Sequence, residues 1–455
     1  MRKNLLGTGL LLALLLTVLS GRTQSVLDAY VSEGLSSNRV LQEKRGNLEK
    51  SLLVLQEAKS LLLPTTWLEG QYTLAKGGRS IDIPVGDLLN PVYKTLNQLT
   101  ASNAFPPVSN QSEQFLPNNF YDIRLRTTLP VINPDLRINR TIQGEQTALR
   151  QQEVSVYARE LVREIKSAYY NYLAASRAIS IYQNALEVVS QNLRANQALL
   201  ASGKGLPAYV SRAESEVQAV SGQLLAAQNE QRNARAYFNF LLNKPLNDPV
   251  AEQDAVIDPA ALVALSGGDS LAIRGREELQ SLETARRIQE QVLRQRELFR
   301  VPRVNSFLDL AAQDYVPTVK GKSFFYLAGV QVQVPLFSGK RNLNGIREAH
   351  VDLKNLELAA ADTYQQLQLA AQVSRNNAWT AYAAYQASQK EQEAARQYFK
   401  LIDRGYREGT SSFLEWLDAR NQYTNSQLRT NINGFQFLVA LADLERQTAA
   451  YSINP

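Results

Sequence analysis

Apolar residues recur along this chain with two different periods, and each period returns twice. Between residues 121 and 131, Tyr121, Ile123, Leu125, Thr127, Leu129 and Val131 alternate with Asp122, Arg124, Arg126 and Thr128. Alternation at period two predicts an extended strand with one apolar and one charged face. An earlier run pairs Leu68, Gly70, Tyr72 and Leu74 on one side with Trp67, Glu69, Gln71 and Thr73 on the other. The second half repeats the couple. Val304, Leu308, Leu310 and Ala312 oppose Asn305, Asp309 and Gln313, and then Phe324, Tyr326, Ala328, Val330, Val332 and Val334 oppose Gln331 and Gln333.

After each strand couple the period lengthens to that of a helix. Leu161, Ile165, Ala168, Tyr172, Ala175, Ile179, Tyr182, Leu186, Val189, Leu193, Asn196 and Leu200 stand alternately four and three apart, and only Asn196 interrupts the apolar seam. The rhythm continues past a turn at Gly203 through Leu206, Val210, Ala213, Val217, Val220, Leu224, Ala227, Gln231, Ala234, Phe238 and Leu241. Sustained heptads with many small residues predict two long helices packed antiparallel across that turn. At about 1.5 Å per residue, a helix over 139–200 is roughly 90 Å long, more than an ordinary domain uses.

The order of elements is itself duplicated. Leu129-Pro130-Val131 and Val334-Pro335-Leu336 end the strands, and Gly203 and Gly409 mark the turns; Pro130 and Pro335 lie 205 positions apart, the glycines 206. A tandem strand-strand-long-hairpin unit points to a tube or a spacer. Around the repeats, Val31, Leu35, Val40, Leu48, Leu52, Leu55 and Leu62 predict an opening helix that Pro64 stops. The Gly/Pro/Asn/Ser-rich stretch 75–114 has no sustained periodicity and reads as a long exposed loop. A Pro/Gly/Asp-punctuated connector follows the first repeat, with one short helix near 260–265 placed beside the helical body as a girdle.

The division expected is a signal peptide over 1–23, a first helix over 24–64 and a first strand pair with its external loop over 65–131. The first hairpin then covers 132–242, the connector 243–275, a helix 276–302, the second strand pair 303–337, the second hairpin 338–451 and a tail 452–455. The leader rests on Arg2 and Lys3 before an apolar stretch from Leu5 to Leu19, with cleavage near Ser20 or Thr23. Past it no run of about twenty apolar residues exists, so the mature chain can enter a membrane only as strands. Four strands of about ten residues, apolar outward and polar inward, match a membrane β-barrel wall, but four do not close one and other copies must supply the rest. A half-buried sheet in a soluble α+β domain is the alternative.

Composition narrows the chemistry. There is no cysteine and His350 is the only histidine, which removes thiol chemistry, disulfides, Cys/His zinc sites and serine-histidine catalysis. The net charge of +6 falls when the leader's Arg2 and Lys3 leave, and basic residues alternate with acids along the helices, giving solvated faces and no nucleic-acid surface. Acids such as Glu69, Asp122 and Asp309 sit on polar strand faces with no nucleophile-base pair beside them, so no enzyme, cofactor or resident metal is expected. A non-conducting periplasmic scaffold remains the competing reading; it leaves the amphipathic strands without a purpose.

Several motifs resemble those of the TolC-like outer-membrane efflux family. Leu27-Asp28-Ala29 with Gly34-Leu35-Ser36-Ser37-Asn38 is similar to the family's opening helix, although Arg39 stands where Pro is usual. Val332-Gln333-Val334-Pro335-Leu336-Phe337-Ser338-Gly339-Lys340 resembles its strand-to-helix junction, and Leu241-Leu242-Asn243-Lys244-Pro245-Leu246 the end of its first hairpin. Gly405-Tyr406-Arg407-Glu408-Gly409-Thr410-Ser411-Ser412-Phe413-Leu414-Glu415-Trp416-Leu417-Asp418-Ala419-Arg420 resembles its second tip turn, with Ser202 to Glu214 as first-half counterpart.

The resemblance implies a homotrimer with a twelve-stranded barrel in outer-membrane lipid and a periplasmic helical tunnel. Such a duct serves tripartite efflux or type I secretion, passively, recruited by a periplasmic adaptor and an inner-membrane transporter. By similarity Glu415 and Asp418 take the positions of acidic rings at the periplasmic entrance, where Tyr209 and Arg212 are the first-half matches. Arg212 is expected to pair with an acid of the neighbouring hairpin. The tip turns Gly203-Lys204-Gly205-Leu206 and Gly409-Thr410-Ser411-Ser412 are the expected adaptor-docking points.

Overall fold

A computed structural model of the chain describes residues 25–266 and 273–451. The expected leader and tail lie outside these, as does the connector's 267–272 stretch. The chain divides into two compact units, one of Leu53–Gly144 with Gln289–Val351, the other of Met1–Leu52, Glu145–Ile288 and Asp352–Pro455.

The first unit holds one four-stranded antiparallel sheet, β1 (Thr65–Thr73), β4 (Phe120–Ile132), β5 (Arg303–Tyr315) and β6 (Phe324–Gln333), in the order β1-β4-β5-β6. Register puts Leu68 beside Leu125, Leu125 beside Leu310 and Leu310 beside Tyr326, so one face carries a continuous apolar row, as the alternation predicts. Those side chains are exposed. The other face carries the charges: Arg126 donates to both oxygens of buried Asp309 across the β4–β5 pair at 2.7 and 2.5 Å, and Arg124 pairs with Asp122.

That polar face is less uniform than the alternation implied, because Phe307, Phe325 and Leu327 share it. The Phe307 ring lies over Gly329, where a Cβ would come within 2.7 Å of it, and the Arg126 guanidinium sits 5.7 Å from the ring centre. Among the described residues, the outer edges of β1 and β6 pair with nothing.

The stretch between β1 and β4 is more than the expected exposed loop. It folds into a two-stranded sheet, β2 (Ser80–Ile83) with β3 (Gln111–Gln114), and a helix, α3 (Val85–Thr100). Asparagine amides do the joining. Asn90 donates to the Val108 carbonyl and accepts its N–H, at 2.9 and 2.8 Å, and Asn97 does the same with Phe105, at 2.8 and 3.1 Å. A side-chain amide thus stands in for a strand partner, and periodicity cannot reveal it.

In the helical unit the opening helix is two, α1 (Val26–Ser37) and α2 (Arg39–Ser60), divided at Asn38. Asn38 is extended; its side chain accepts from Leu41 N at 3.1 Å and donates to the Leu241 carbonyl at 3.0 Å, starting one helix while fastening it to another. Gly34 permits close approach, since a Cβ there would meet Ile165 Cδ1 at 2.3 Å.

The two hairpins are equal in length. Helix α4 (Pro134–Ala201) and helix α8 (Arg341–Glu408) have 68 residues each, and α5 (Pro207–Leu241) and α9 (Phe413–Gln447) have 35 each. The main core joins Val31 and Leu41 to Leu161, Ile165, Tyr169 and Tyr172 of α4, Phe238 and Leu241 of α5 and Phe435 and Leu438 of α9. The heptad seam of α4 is therefore the buried face.

The connector lies against this body. Its helix α6 (Pro259–Ser266) buries Leu262 against Ala378, Phe437 and Leu444, and Tyr169 Oη donates to the Ala251 carbonyl at 3.0 Å while accepting from Gln253 N. At the start of α7 (Glu277–Glu297), Glu278 accepts from Arg276 and from Arg446 of α9, both at 2.7 Å. Burial pushes the Glu278 carboxyl up, but the two guanidinium groups outweigh it and hold it down at about 2.

A carboxyl lowered in the folded state contributes stability that is present above its ordinary value and lost as pH falls towards the lowered one. Thermal unfolding followed by circular dichroism should therefore show stability falling as pH drops from about 4.5 towards 2. Glu278→Gln should cost about 3 kcal/mol at pH 7 and flatten that dependence.

Candidate functional site: the hairpin tips

The two tips are the same turn used twice. Gly203 and Gly409 have φ of 72° and 79°, the left-handed region in which glycine carries no Cβ penalty. The Leu199 carbonyl accepts from Lys204 N and Gly205 N, both at 2.9 Å; the Gly405 carbonyl accepts from Thr410 N and Ser411 N at 2.8 and 3.1 Å. Gly205 has a second reason to be glycine, because a Cβ would fall 2.6 Å from Leu200 N. Lys204, Leu206 and Thr410 are exposed, so the first turn presents a lysine and a leucine outward and the second a threonine hydroxyl.

The returning helices start differently. Pro207 opens α5 without a side-chain cap, whereas Ser412 and Glu415 form a reciprocal box at the start of α9, with Glu415 N to Ser412 Oγ at 3.2 Å and Ser412 N to Glu415 Oε2 at 2.7 Å. The Ser412 backbone N–H, followed by its hydroxyl, holds the Glu415 carboxyl below its ordinary value. Within the chain Glu415 is thus a helix cap. Asp418, one turn on, is exposed and has no hydrogen-bond or ionic partner among the described residues. Tyr209 and Arg212 occupy the equivalent positions in α5; Tyr209 packs its ring 5.2 Å from that of Phe413.

Behind the turns an aromatic cluster joins the hairpins. Phe413, Trp416 and Leu417 of α9 bury with Ala213 of α5, and Tyr209, Leu193, Phe399, Ile402 and Tyr406 pack around them. Two polar contacts cross this cluster. Tyr406 Oη donates to Asn196 Oδ1 at 3.2 Å, and Asn196, 3% exposed, is the residue that broke the heptad seam. Arg420, also 3% exposed, donates from Nη2 to Glu216 Oε2 at 2.8 Å. Burial holds the Arg420 guanidinium below its ordinary value, although Glu216 pulls it up, and its Nε is buried without a partner among the described residues.

Within one chain Arg212 finds an acid of its own helix. Arg212 is half exposed and reaches Glu216, one turn along its own helix, at 3.2 Å. The pair that spans the hairpins is Glu216 with Arg420. The tip motif runs from Gly405 to Arg420, but nothing in its spacing marks Arg420 as the residue that pairs across the hairpins.

Residues 270–449 match the family model described as outer membrane efflux protein. No curated protein sequence matches the chain. Its fold is similar to that of the Campylobacter jejuni CmeC outer membrane channel, at 14% identity and a TM-score of 0.74 over 93% of this chain and 85% of that one. It is similar also to CusC, at 14% identity and 0.74 over 93% and 91%, and to the open state of the Neisseria gonorrhoeae MtrE outer membrane channel, at 15% and 0.72 over 93% and 88%. The second repeat thus lies largely within the residues that match the outer membrane efflux protein model, and the described chain has the fold of outer-membrane channels, as the motifs implied.

Buried and exposed arginines should separate cleanly at the tips. Arg420→Ala should loosen the two hairpins by about 2 kcal/mol, raising hydrogen–deuterium exchange in the first turns of α5 and α9, because it leaves a half-buried carboxylate short of a partner. Arg212→Ala should change local stability by less than about 0.5 kcal/mol.

Proposed function

We propose that this protein is the outer-membrane exit duct of a tripartite efflux or type I secretion system. The observation that carries the reading is the four-stranded sheet with an exposed apolar face and two unpaired edges. In water such a sheet would aggregate through both edges and face; in a membrane the face is solvated by lipid and the edges are closed by other copies. Because the sheet has an even number of antiparallel strands, β6 of one copy meets β1 of the next antiparallel. Three copies then give twelve strands, the number the family resemblance implies.

The helical hairpins continue the duct into the periplasm, and their tips form its entrance. Glu216–Arg420 and Tyr406–Asn196 hold each copy's two hairpins together, so movement of the tips must break or carry both contacts. Asp418, with Glu415 beside it, would repeat around the threefold axis and favour cations. The turns at Gly203–Leu206 and Gly409–Ser412 are the docking points for a periplasmic adaptor, which brings the duct to an energised inner-membrane transporter. The family and the fold are those of channels, and a non-conducting scaffold gives the exposed apolar face no occupant.

Planar-bilayer recording on the detergent-purified mature protein tests this. The duct reading predicts a small cation-preferring conductance that rises several-fold in Arg420→Ala, loses cation preference in Asp418→Asn and is unchanged in Arg212→Ala. A protein that stays soluble without detergent and gives no conductance would contradict it.

A further inference from the structure

The cap between β1 and β4 carries a helix face with nothing of its own chain upon it. On α3, Gly86, Asn90 and Asn97 turn towards the returning segment, and Gly86 lies so close that a Cβ would meet the Val108 carbonyl at 2.4 Å. On the opposite side, at helical spacing, Leu88, Val92 and Leu99 are 68%, 52% and 78% exposed. Asn110 further ties the helix start, accepting from Asp87 N at 3.0 Å and donating to Asp87 Oδ2 at 3.0 Å. The apolar face is therefore held on a built element.

Position selects its occupant. The cap leaves the sheet from β1, the edge strand. On the β4 side, the chain's own β5–β6 turn already lies close: Asn119 Nδ2 donates to the Val316 carbonyl at 2.7 Å and Tyr121 Oη to the Thr318 carbonyl at 3.1 Å. Closing the free edge of β1 against β6 of another copy brings that copy's β5–β6 turn beside the cap. The same turn leaves Val316 and Val319 exposed.

We propose that α3 of one copy packs through Leu88, Val92 and Leu99 on the β5–β6 turn of the next copy at Val316 and Val319, clasping neighbouring rims outside the membrane. The clasp rests on the reading of the sheet as one part of a closed barrel. It removes five apolar side chains from water at each boundary and adds a contact that main-chain pairing alone does not supply.

The natural chain has no cysteine, so introduced thiols report cleanly. The double variants Leu88→Cys with Val319→Cys, Val92→Cys with Val319→Cys and Leu99→Cys with Val319→Cys, treated in membranes with a short bis-maleimide, should yield covalent dimers and trimers on denaturing gels. Each single variant should yield none. The clasp is overturned if the α3 single variants cross-link to one another, or if no pair links while native mass spectrometry shows an intact trimer. A monomer in that mass measurement would remove the barrel reading itself, and the clasp with it.

Discussion

Everything in this molecule follows from a sheet that cannot be finished by one chain. Among the described residues, strands β1 and β6 each leave a row of backbone N–H and C=O groups unpaired, and one face of the sheet between them is apolar. In hydrocarbon each unsatisfied backbone group costs several kcal/mol, so a lipid-facing sheet must close. The even strand count lets identical copies continue the antiparallel order without a mismatch. The Arg126–Asp309 pair becomes intelligible in the same way, since a charged face is tolerable only where it looks into water.

The duplicated hairpins obey a different economy. Their length is set by heptads, with equal helices of 68 and 35 residues in both halves. Apolar seams of this kind specify contact but not register, and the polar residues inside them supply it. Asn196 with Tyr406 and Glu216 with Arg420 fit only one alignment of the hairpins. These contacts also hold the two hairpin tips of one chain together.

How much of this could be read from residues alone depends on whether the signal was periodic. The strands from Thr65, Phe120, Arg303 and Phe324, and the helices ending at the Gly203 and Gly409 turns, were legible because a face repeats at two or at three and a half. The cap was not, because Asn90 and Asn97 substitute side-chain amides for a ladder, and Pro91 stands inside its helix. The break at Asn38 was hidden for the same reason. At the tips, Glu415 is fastened to Ser412 and Arg212 finds an acid in its own helix; pairing across helices depends on rotation about their axes, which heptads leave open.

The most direct test of the central claim is electron cryomicroscopy of the mature protein in lipid nanodiscs. The account predicts three copies whose β6 strands each bond to β1 of the next, enclosing one pore of twelve strands in the bilayer. A single copy with both sheet edges open to water, or a sheet lying outside the lipid, would contradict it.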